Sequence, residues 1–238
     1  MSGVRGADPR LEAKRRRWVA AGAAAGVVAA VFGLTVGDFH VALELVAPSG
    51  KPLAPEAASL LRITGGLVGP PLVAAGWVFA RGLWWSARGS GSRALGAAWV
   101  AATAFVVAHA ALAVTDLVLA AAIDEAAIVS GAAAVAATAS LEAAGAMRGL
   151  AALAVAVSGG ILLPALLGTW FRRLRHHVGA AASMAVVGCV LVGVAARALA
   201  IDPASHAATA IFILAMAGRA TAFVAMCAAW YQAARAPS

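Results

Sequence analysis

Two residues that could do chemistry, His109 and Asp116, interrupt a stretch of the chain that is otherwise almost entirely apolar. They lie seven residues apart, so in a helix their side chains point within about 20° of the same direction. An imidazole and a carboxylate on one helix face could transfer a proton or neutralise a nearby arginine. What surrounds them decides whether that face meets lipid, another helix or a ligand.

The composition of the chain places these residues in a membrane. Of its 238 residues, 63% are hydrophobic and only 12% are charged, and the mean hydropathy is +0.91. An ordinary soluble domain has about 45–50% apolar and about 25% charged residues. The two cysteines, Cys189 and Cys227, lie in apolar segments and form no CxxC motif, so we expect no redox function.

The fold class predicted from this composition is all-α: a polytopic integral membrane helical bundle in the cell membrane. A hydrocarbon core of about 30 Å needs about 20 apolar residues per helix. Six windows of this kind are bounded by charged residues, proline or glycine, and we predict six transmembrane helices with both termini cytoplasmic. The predicted spans are 18–36, 59–80, 94–123, 149–171, 178–200 and 207–229.

The remaining segments are short. We divide the chain into a basic tail at 1–17, a single six-helix domain at 18–232 and a short tail at 233–238. A further stretch, 126–141, is rich in alanine and less apolar, and we interpret it as a helix outside the membrane or on its surface. The basic opening could begin a signal peptide, but its apolar run is long and no clear cleavage site follows, so we expect it to be retained.

The distribution of charge supports six spans, because cytoplasmic loops carry an excess of Lys and Arg. On the outside this topology leaves only two cations, Lys51 and Arg148, among seven acidic residues. The net charge of +8 then indicates orientation and contact with anionic lipid headgroups at the cytoplasmic face, and argues against nucleic-acid binding. The cations predicted inside are Arg5, Arg10, Lys14, Arg15, Arg16, Arg17, Arg81, Arg88, Arg93, Arg172, Arg173, Arg175 and Arg235.

Three arginines accompany His109 and Asp116 within the predicted spans: Arg62, Arg197 and Arg219. A charged group in hydrocarbon costs at least about 2.5 kcal/mol, so such residues face the bundle interior and pair. We predict that Asp116 pairs with Arg219 or Arg62. The five residues together predict a polar pocket open to the outside, and its arginines would favour an anionic or carbonyl-bearing ligand.

Structural interpretations of the same residues remain open. Arg62 and Arg197 lie near enough to the outer interface to extend their side chains to water. Asp116 and Arg219 could form an ion pair that only fixes helix packing. His109 could be a hydrogen-bonded core histidine.

Two glycine- and proline-rich stretches, 62–71 and 158–164, interrupt the second and fourth spans at comparable predicted depth. Interrupted helices line binding sites in many transporters because their freed backbone groups can meet a ligand. The fifth span lacks a matching break, so no inverted repeat supports this, and kinked packing is the alternative. The predicted helix-break residues are Gly65, Gly66, Gly69, Pro70, Pro71, Ser158, Gly159, Gly160 and Pro164.

Glycines spaced four apart recur in 22–26, 33–37 and 65–69. This spacing puts both glycines on one helix face and favours close helix contact. The partner could be another helix of the same chain, a second copy in a homo-oligomer or a subunit of a membrane complex.

The functional hypothesis from sequence is a small-solute transporter, a channel-like protein or a ligand-binding membrane protein. A structural or assembly subunit of a larger membrane complex is the alternative. A membrane-embedded enzyme, with His109 or Asp116 as acid or base, is the second alternative. No metalloprotease, hydrolase or nucleotide-binding motif occurs. One deep histidine and no lysine in the last two spans do not suit haem or retinal, so we expect no cofactor and no metal.

Overall fold

A computed structural model of the chain describes residues 9–33, 55–130, 132–199 and 206–235. These residues form helices and no strands, as predicted. Two π-helical turns join consecutive helices: Ile63–Val68, here called the first π segment, and Ala156–Leu162, the second π segment. The α-helices are α1 (Pro9–Phe32), α2 (Pro55–Arg62), α3 (Gly69–Ser90), α4 (Arg93–Ile128), α5 (Ala132–Val155), α6 (Leu163–Arg173), α7 (His177–Leu199) and α8 (His206–Arg235).

Within the described residues, five helical units are long and apolar enough to cross a membrane. Helix α1 is a sixth candidate: it has 24 residues, but its first part is strongly basic, and the end of the predicted span 18–36 lies outside the described residues. The chain is therefore a multi-pass membrane protein with five or six spanning helices. The five units are Ala58–Ser90, Arg93–Ile128, Ala133–Arg173, His177–Ala196 and Ala210–Arg235.

The stretch 126–141 is largely helical but is not a separate helix, and its position outside the membrane or on its surface stays a prediction. Its first residues end α4, and the rest begins α5, which continues through the second π segment into α6. Alanine is the strongest helix former, and residues 132–144 contain neither glycine nor proline, so nothing ends the helix there. With 36 residues, α4 is about 54 Å long, well beyond a hydrocarbon core of about 30 Å.

The helices close into a ring. Along it, α1 packs on α3, α3 on α4, α4 on α5 and α6, α6 on α7, α7 on α8, and α8 again on α1. In this order α4 and α8 occupy opposite positions. Side chains that point inward from α4 and α8 therefore approach each other across the middle of the ring.

One end of the ring, here called the basic end, gathers the cations of several helices. Arg81 and Arg88 lie over the Trp84 ring, and Lys14 lies over Trp85. Near the start of α1, Glu12 accepts hydrogen bonds from neighbouring arginines, and these hold its pKa below the usual value. The loops predicted from charge therefore share one end, and their cytoplasmic side stays a prediction. The basic end comprises Lys14, Arg15, Arg81, Arg88, Arg93, Arg172, Arg173 and Arg235.

The largest apolar core fills the ring next to the basic end. Trp230 of α8 is fully buried there, and its indole N–H donates to the Ser86 hydroxyl of α3 at 3.2 Å. A Cβ at Gly22 would lie 3.0 Å from the Gly82 Cα, so α1 and α3 touch closely, as the glycine spacing predicted. The largest side chains of this core are Phe79, Leu83, Leu95, Leu163, Leu167, Trp170, Phe171, Met226 and Trp230.

At the opposite end the described helices form two separate apolar clusters. One joins α2, α4 and α5 through residues such as Leu61, Leu119 and Ala144. The other joins α7 and α8 through Ala196, Phe212, Ala215 and Met216. The single core of the basic end is thus replaced by two smaller ones.

Candidate functional site

Asp116 forms a buried ion pair at the end of the molecule opposite the basic end. Its Oδ1 accepts a hydrogen bond from the Arg148 Nε at 2.6 Å. Its Oδ2 lies 3.2 Å from the Thr64 hydroxyl, which donates to it. Only 7% of the Asp116 side chain and 17% of the Arg148 side chain are exposed. Three helical units, each crossing the bundle, therefore meet at one carboxylate.

The predicted partner of Asp116 was wrong. We predicted Arg219 or Arg62, whereas the ion pair is with Arg148. Arg148 belongs to α5 and not to an outer loop, because the alanine-rich helix continues through it. Arg62, at the end of α2, forms a half-exposed salt bridge with Asp124, further along α4.

The first π segment positions Thr64 beside Asp116. The Gly69 N–H donates to the Thr64 carbonyl, five residues back. Pro70 and Pro71 follow at once, and proline lacks the N–H and clashes with the carbonyl of the preceding turn. A π turn is wider than an α turn, so it accommodates both the missing N–H groups and the bulk of the two proline rings. A Cβ at Gly65 would lie 2.6 Å from the Ala113 carbonyl oxygen, so the absence of a side chain lets this turn pack directly on α4.

The ion pair lies about one hydrocarbon thickness from the basic end. Asp116 follows Arg93 by 23 residues, which is about 35 Å along a helix. Arg148 precedes Arg172 by 24 residues, which is about 36 Å. With a core of about 30 Å, the pair lies at the level of the opposite interface.

His109 lies at a different depth, nearer the middle of the bundle. It follows Arg93 by 16 residues, which is about 24 Å. Its ring packs against the Phe105 ring in a tilted arrangement, with the ring centroids 4.6 Å apart and the planes at 57°. The Nδ1 atom of His109 is buried, and no described residue hydrogen-bonds to it.

The second π segment leaves room for the Phe105 ring that contacts His109. Phe105 lies directly against the backbone of Gly159, where a Cβ would overlap the ring. The turn closes in the same way as the first: the N–H of Leu163, just before Pro164, donates to the Ser158 carbonyl five residues back.

The helices are irregular where the glycine and proline residues predicted it, and the irregularities are π turns. The two π segments lie at different distances from the basic end. The first π segment precedes Arg88 by at least 20 residues and the second precedes Arg172 by at least 10, which places them about 30 Å and about 15 Å from the basic end. The prediction of comparable depth was wrong.

Arg219 of α8 lies at the level of His109. It precedes Arg235 by 16 residues, again about 24 Å along the helix. It makes contacts within the protein. The side chain of Arg197 falls outside the described part of the chain. Among the described residues of the predicted pocket, His109 and Arg219 therefore lie at one level and Asp116 and Arg62 nearer the opposite end, and the pocket itself stays a prediction.

The chain matches no protein-family model, no curated protein and no solved structure. Its function must therefore be inferred from its own residues. Among the described residues, no group of three or more His, Cys, Asp or Glu side chains could hold a metal ion.

Surface grooves lie elsewhere on the molecule. One follows the basic face of α1 and is lined by Arg10, Lys14, Arg17 and Trp18, together with Ala13. Another follows the apolar face of α4 from Trp99 to Ala111 and includes Ala154. Neither groove is lined by His109, Asp116 or Arg148.

Proposed function

We propose that this protein binds a small anionic or carbonyl-bearing solute in its polar interior and carries it across the cell membrane. The observation that carries the proposal is the buried Asp116–Arg148 ion pair with Thr64 at its side. Burying such a pair costs several kcal/mol of desolvation per ion, and an apolar pair of similar volume is often as stable or more stable. The stability of the packed bundle therefore does not by itself explain why Asp116 and Arg148 are charged residues.

The placement of the polar groups supports a path along the inner face of α4. Asp116 lies at the level of one interface, and His109 lies about 10 Å deeper, given 1.5 Å per residue. Thr64 of the first π segment donates to Asp116, and the second π segment packs against Phe105, whose ring contacts His109. Single π turns inside α-helices are frequent at functional sites, because they change which groups a helix presents.

Arg148 supplies the chemistry for an anionic solute. Its planar guanidinium can bind a carboxylate in a two-point geometry, and its Nε donates to one oxygen of Asp116. A solute carboxylate that replaces Asp116 as the partner of Arg148 would enter a site that is already shaped for it. Thr64 could then donate to whichever carboxylate is present.

Flux measurements on purified protein in liposomes test the proposal. Vesicles with a gradient of radiolabelled acetate, or loaded with a chloride-sensitive dye, should show flux above that of protein-free vesicles. Arg148→Gln should lower this flux at least about tenfold, because the solute then loses a charged hydrogen bond of about 1.5 kcal/mol or more. Arg172→Gln, which changes an exposed cation at the basic end, should leave it unchanged. No flux of either probe would refute transport of small anions.

A structural subunit is the second candidate, and the apolar groove on α4 favours it. Trp99, Val100 and Val107 line this groove and are exposed at the level of the membrane, so a helix of a second copy or of another subunit could pack there. In this case Val107→Trp should change the oligomeric mass of the detergent-solubilised protein, whereas Asp116→Asn should not. An unchanged mass for Val107→Trp would exclude assembly through this face.

A further inference from the structure

The groove on the basic face of α1, here called the α1 groove, lies at the basic end of the molecule. Arg10, Lys14, Arg17 and Trp18 line it. Lys14 and Arg17 are exposed, whereas Trp18 is half-buried. On α3, the guanidinium carbon of Arg81 lies 5.9 Å from the centroid of the Trp18 ring. The neighbouring helix therefore brings a further cation beside the same groove.

The acidic residue of α1 does not neutralise this groove. Among the described residues of α1, α3, α6, α7 and α8, Glu12 is the only acidic side chain. It accepts hydrogen bonds from Arg15 and Arg16. With 3.6 residues per turn, Lys14 and Arg17 project from the side of α1 opposite to Glu12. The cations of the groove therefore present their charge to whatever lies outside the helix.

The same face of α1 continues as an exposed apolar stripe. Ala21, Ala24 and Val28 follow Arg17 at spacings of four, three and four residues, which keeps them on one side of the helix. All three are exposed. From Arg17 to Val28 the stripe is about 16 Å long, which is about half of a hydrocarbon core of about 30 Å. A ligand that covers the whole face therefore has an anionic end and an apolar part about one leaflet long.

Trp18 marks the boundary between the basic groove and the apolar stripe. Tryptophan is enriched at membrane interfaces because its ring is apolar and its N–H is polar. Arg81 is half-buried and also lies over the Trp84 ring, 4.2 Å from its centroid, so contacts with two rings position its charge. The α1 groove thus lies at the level of the lipid headgroups.

We propose that one anionic phospholipid of the leaflet at the basic end binds along α1, with its phosphate between Lys14 and Arg17 and an acyl chain along the stripe 21–28. Basic clusters directly beside a membrane-embedded helix attract anionic lipids. A free phosphate would satisfy the cations but would leave the stripe uncovered, so the stripe favours a lipid. Lipid binding at this site is independent of the proposed transport.

Native mass spectrometry of the full chain in a neutral detergent tests this site. Dioleoyl phosphatidylglycerol and dioleoyl phosphatidylcholine are titrated separately, because the two lipids share their acyl chains and differ in net charge. We expect one molecule of phosphatidylglycerol to bind saturably, with an affinity at least about tenfold higher than that of phosphatidylcholine. Equal affinity for the two lipids would overturn the proposal.

Two double variants give the matched comparison. Lys14→Gln with Arg17→Gln removes two cations of the groove and should weaken the binding of phosphatidylglycerol at least about tenfold, because each cation at a membrane surface adds to the attraction of an anionic lipid. Arg172→Gln with Arg173→Gln removes the same charge from exposed positions on α6 at the same end and should leave the affinity unchanged. Equal weakening in both variants would show diffuse attraction to the basic end and overturn the specific site.

The free headgroup distinguishes a lipid from a soluble phosphate. Glycerophosphoglycerol carries the same phosphodiester without acyl chains, so it cannot cover the apolar stripe. At a concentration equal to that of phosphatidylglycerol, it should leave the lipid-bound species intact. Displacement of the lipid by this compound would assign the α1 groove to a soluble phosphodiester and overturn the proposal.

Discussion

At the residue scale, both carboxylate oxygens of Asp116 are engaged, one by Arg148 and one by Thr64. The low exposure of the pair limits how far water can replace either partner. Removing one charge therefore leaves the other buried without compensation, and this typically costs about 3–5 kcal/mol. Removing both costs far less, since neither charge then needs a partner.

We expect Asp116→Asn to lower the free energy of unfolding by about 3 kcal/mol, the lower end of the range for a broken buried pair, because Arg148 keeps some access to water. The double variant Asp116→Asn with Arg148→Gln should recover much of this loss. Asp124→Asn, in the half-exposed pair with Arg62, is the control and should cost no more than about 1 kcal/mol. Chemical unfolding in detergent measures all three, and purely additive losses for the double variant would show that Asp116 and Arg148 do not interact.

Sequence reasoning identified Asp116 as a residue that must be paired, because a carboxylate in an apolar helix cannot be left in lipid. It could not identify Arg148, because that pairing depends on where α5 begins. Hydropathy placed Arg148 in a loop, whereas helix propensity places it on a continuous helix. The excess of acids over cations in the predicted outer segments was the available signal that Arg148 and Arg62 would both be drawn into ion pairs.

At the element scale, the two π segments explain how interrupted helices remain helical. Both precede a proline, and both close with a hydrogen bond from the residue before that proline to a carbonyl five residues back. Glycine and proline located these irregularities in the sequence. They could not distinguish a kink from a π turn, because the choice depends on what packs against the turn: α4 at Gly65 and Phe105 at Gly159.

The packing of the first π segment on α4 predicts opposite outcomes for neighbouring glycines. Gly65→Ala should destabilise the protein by about 1–3 kcal/mol, the usual cost of overpacking, because the new Cβ would meet the backbone carbonyl of Ala113 at 2.6 Å. Gly66→Ala should be neutral or stabilising by up to about 1 kcal/mol, because its Cβ would meet only Leu117 at 3.8 Å. Thermal unfolding compares the two, and equal stability would refute this packing.

The second π segment gives a similar test that also reports on His109. Gly159→Ala should displace Phe105 and lower the free energy of unfolding by about 1–3 kcal/mol, and it should shift the nitrogen-15 signals of His109. Gly149→Ala on α5 is the control, since its Cβ would meet no atom within 4 Å. Adding Phe105→Leu to Gly159→Ala should recover part of the stability. If the His109 signals do not move in Gly159→Ala, Phe105 does not position the imidazole.

At the scale of the whole molecule, composition and charge were enough to predict a helical membrane protein whose basic loops share one end. The order of helices around the ring could not be predicted, because it depends on which apolar faces pack, and alanine-rich faces resemble one another. The length of α4 and of the unit from α5 to α6 was also underestimated, since a hydropathy window marks the lipid-embedded part of a helix and not its end.

The orientation of the ring is a separate prediction from the same charges. With the basic end cytoplasmic, a cysteine at Ser90 should be protected from an impermeant thiol reagent in intact cells, whereas one at Ser49 should react. Both are placed in a background without Cys189 and Cys227. The anionic headgroups of the cytoplasmic leaflet would then face Arg10, Lys14 and Arg17 on α1. Labelling at Ser90 and protection at Ser49 would invert the topology.

The central claim is that the buried charges serve a solute and not only packing, and the flux of the charge-neutral double variant tests it most directly. Asp116→Asn with Arg148→Gln should fold, reach the membrane and unfold near the wild-type temperature, because no buried charge is left unpaired. In liposomes it should nevertheless lose the acetate or chloride flux of the wild type by at least about tenfold. A stable double variant with full wild-type flux would contradict the claim and leave the ion pair a role in packing alone.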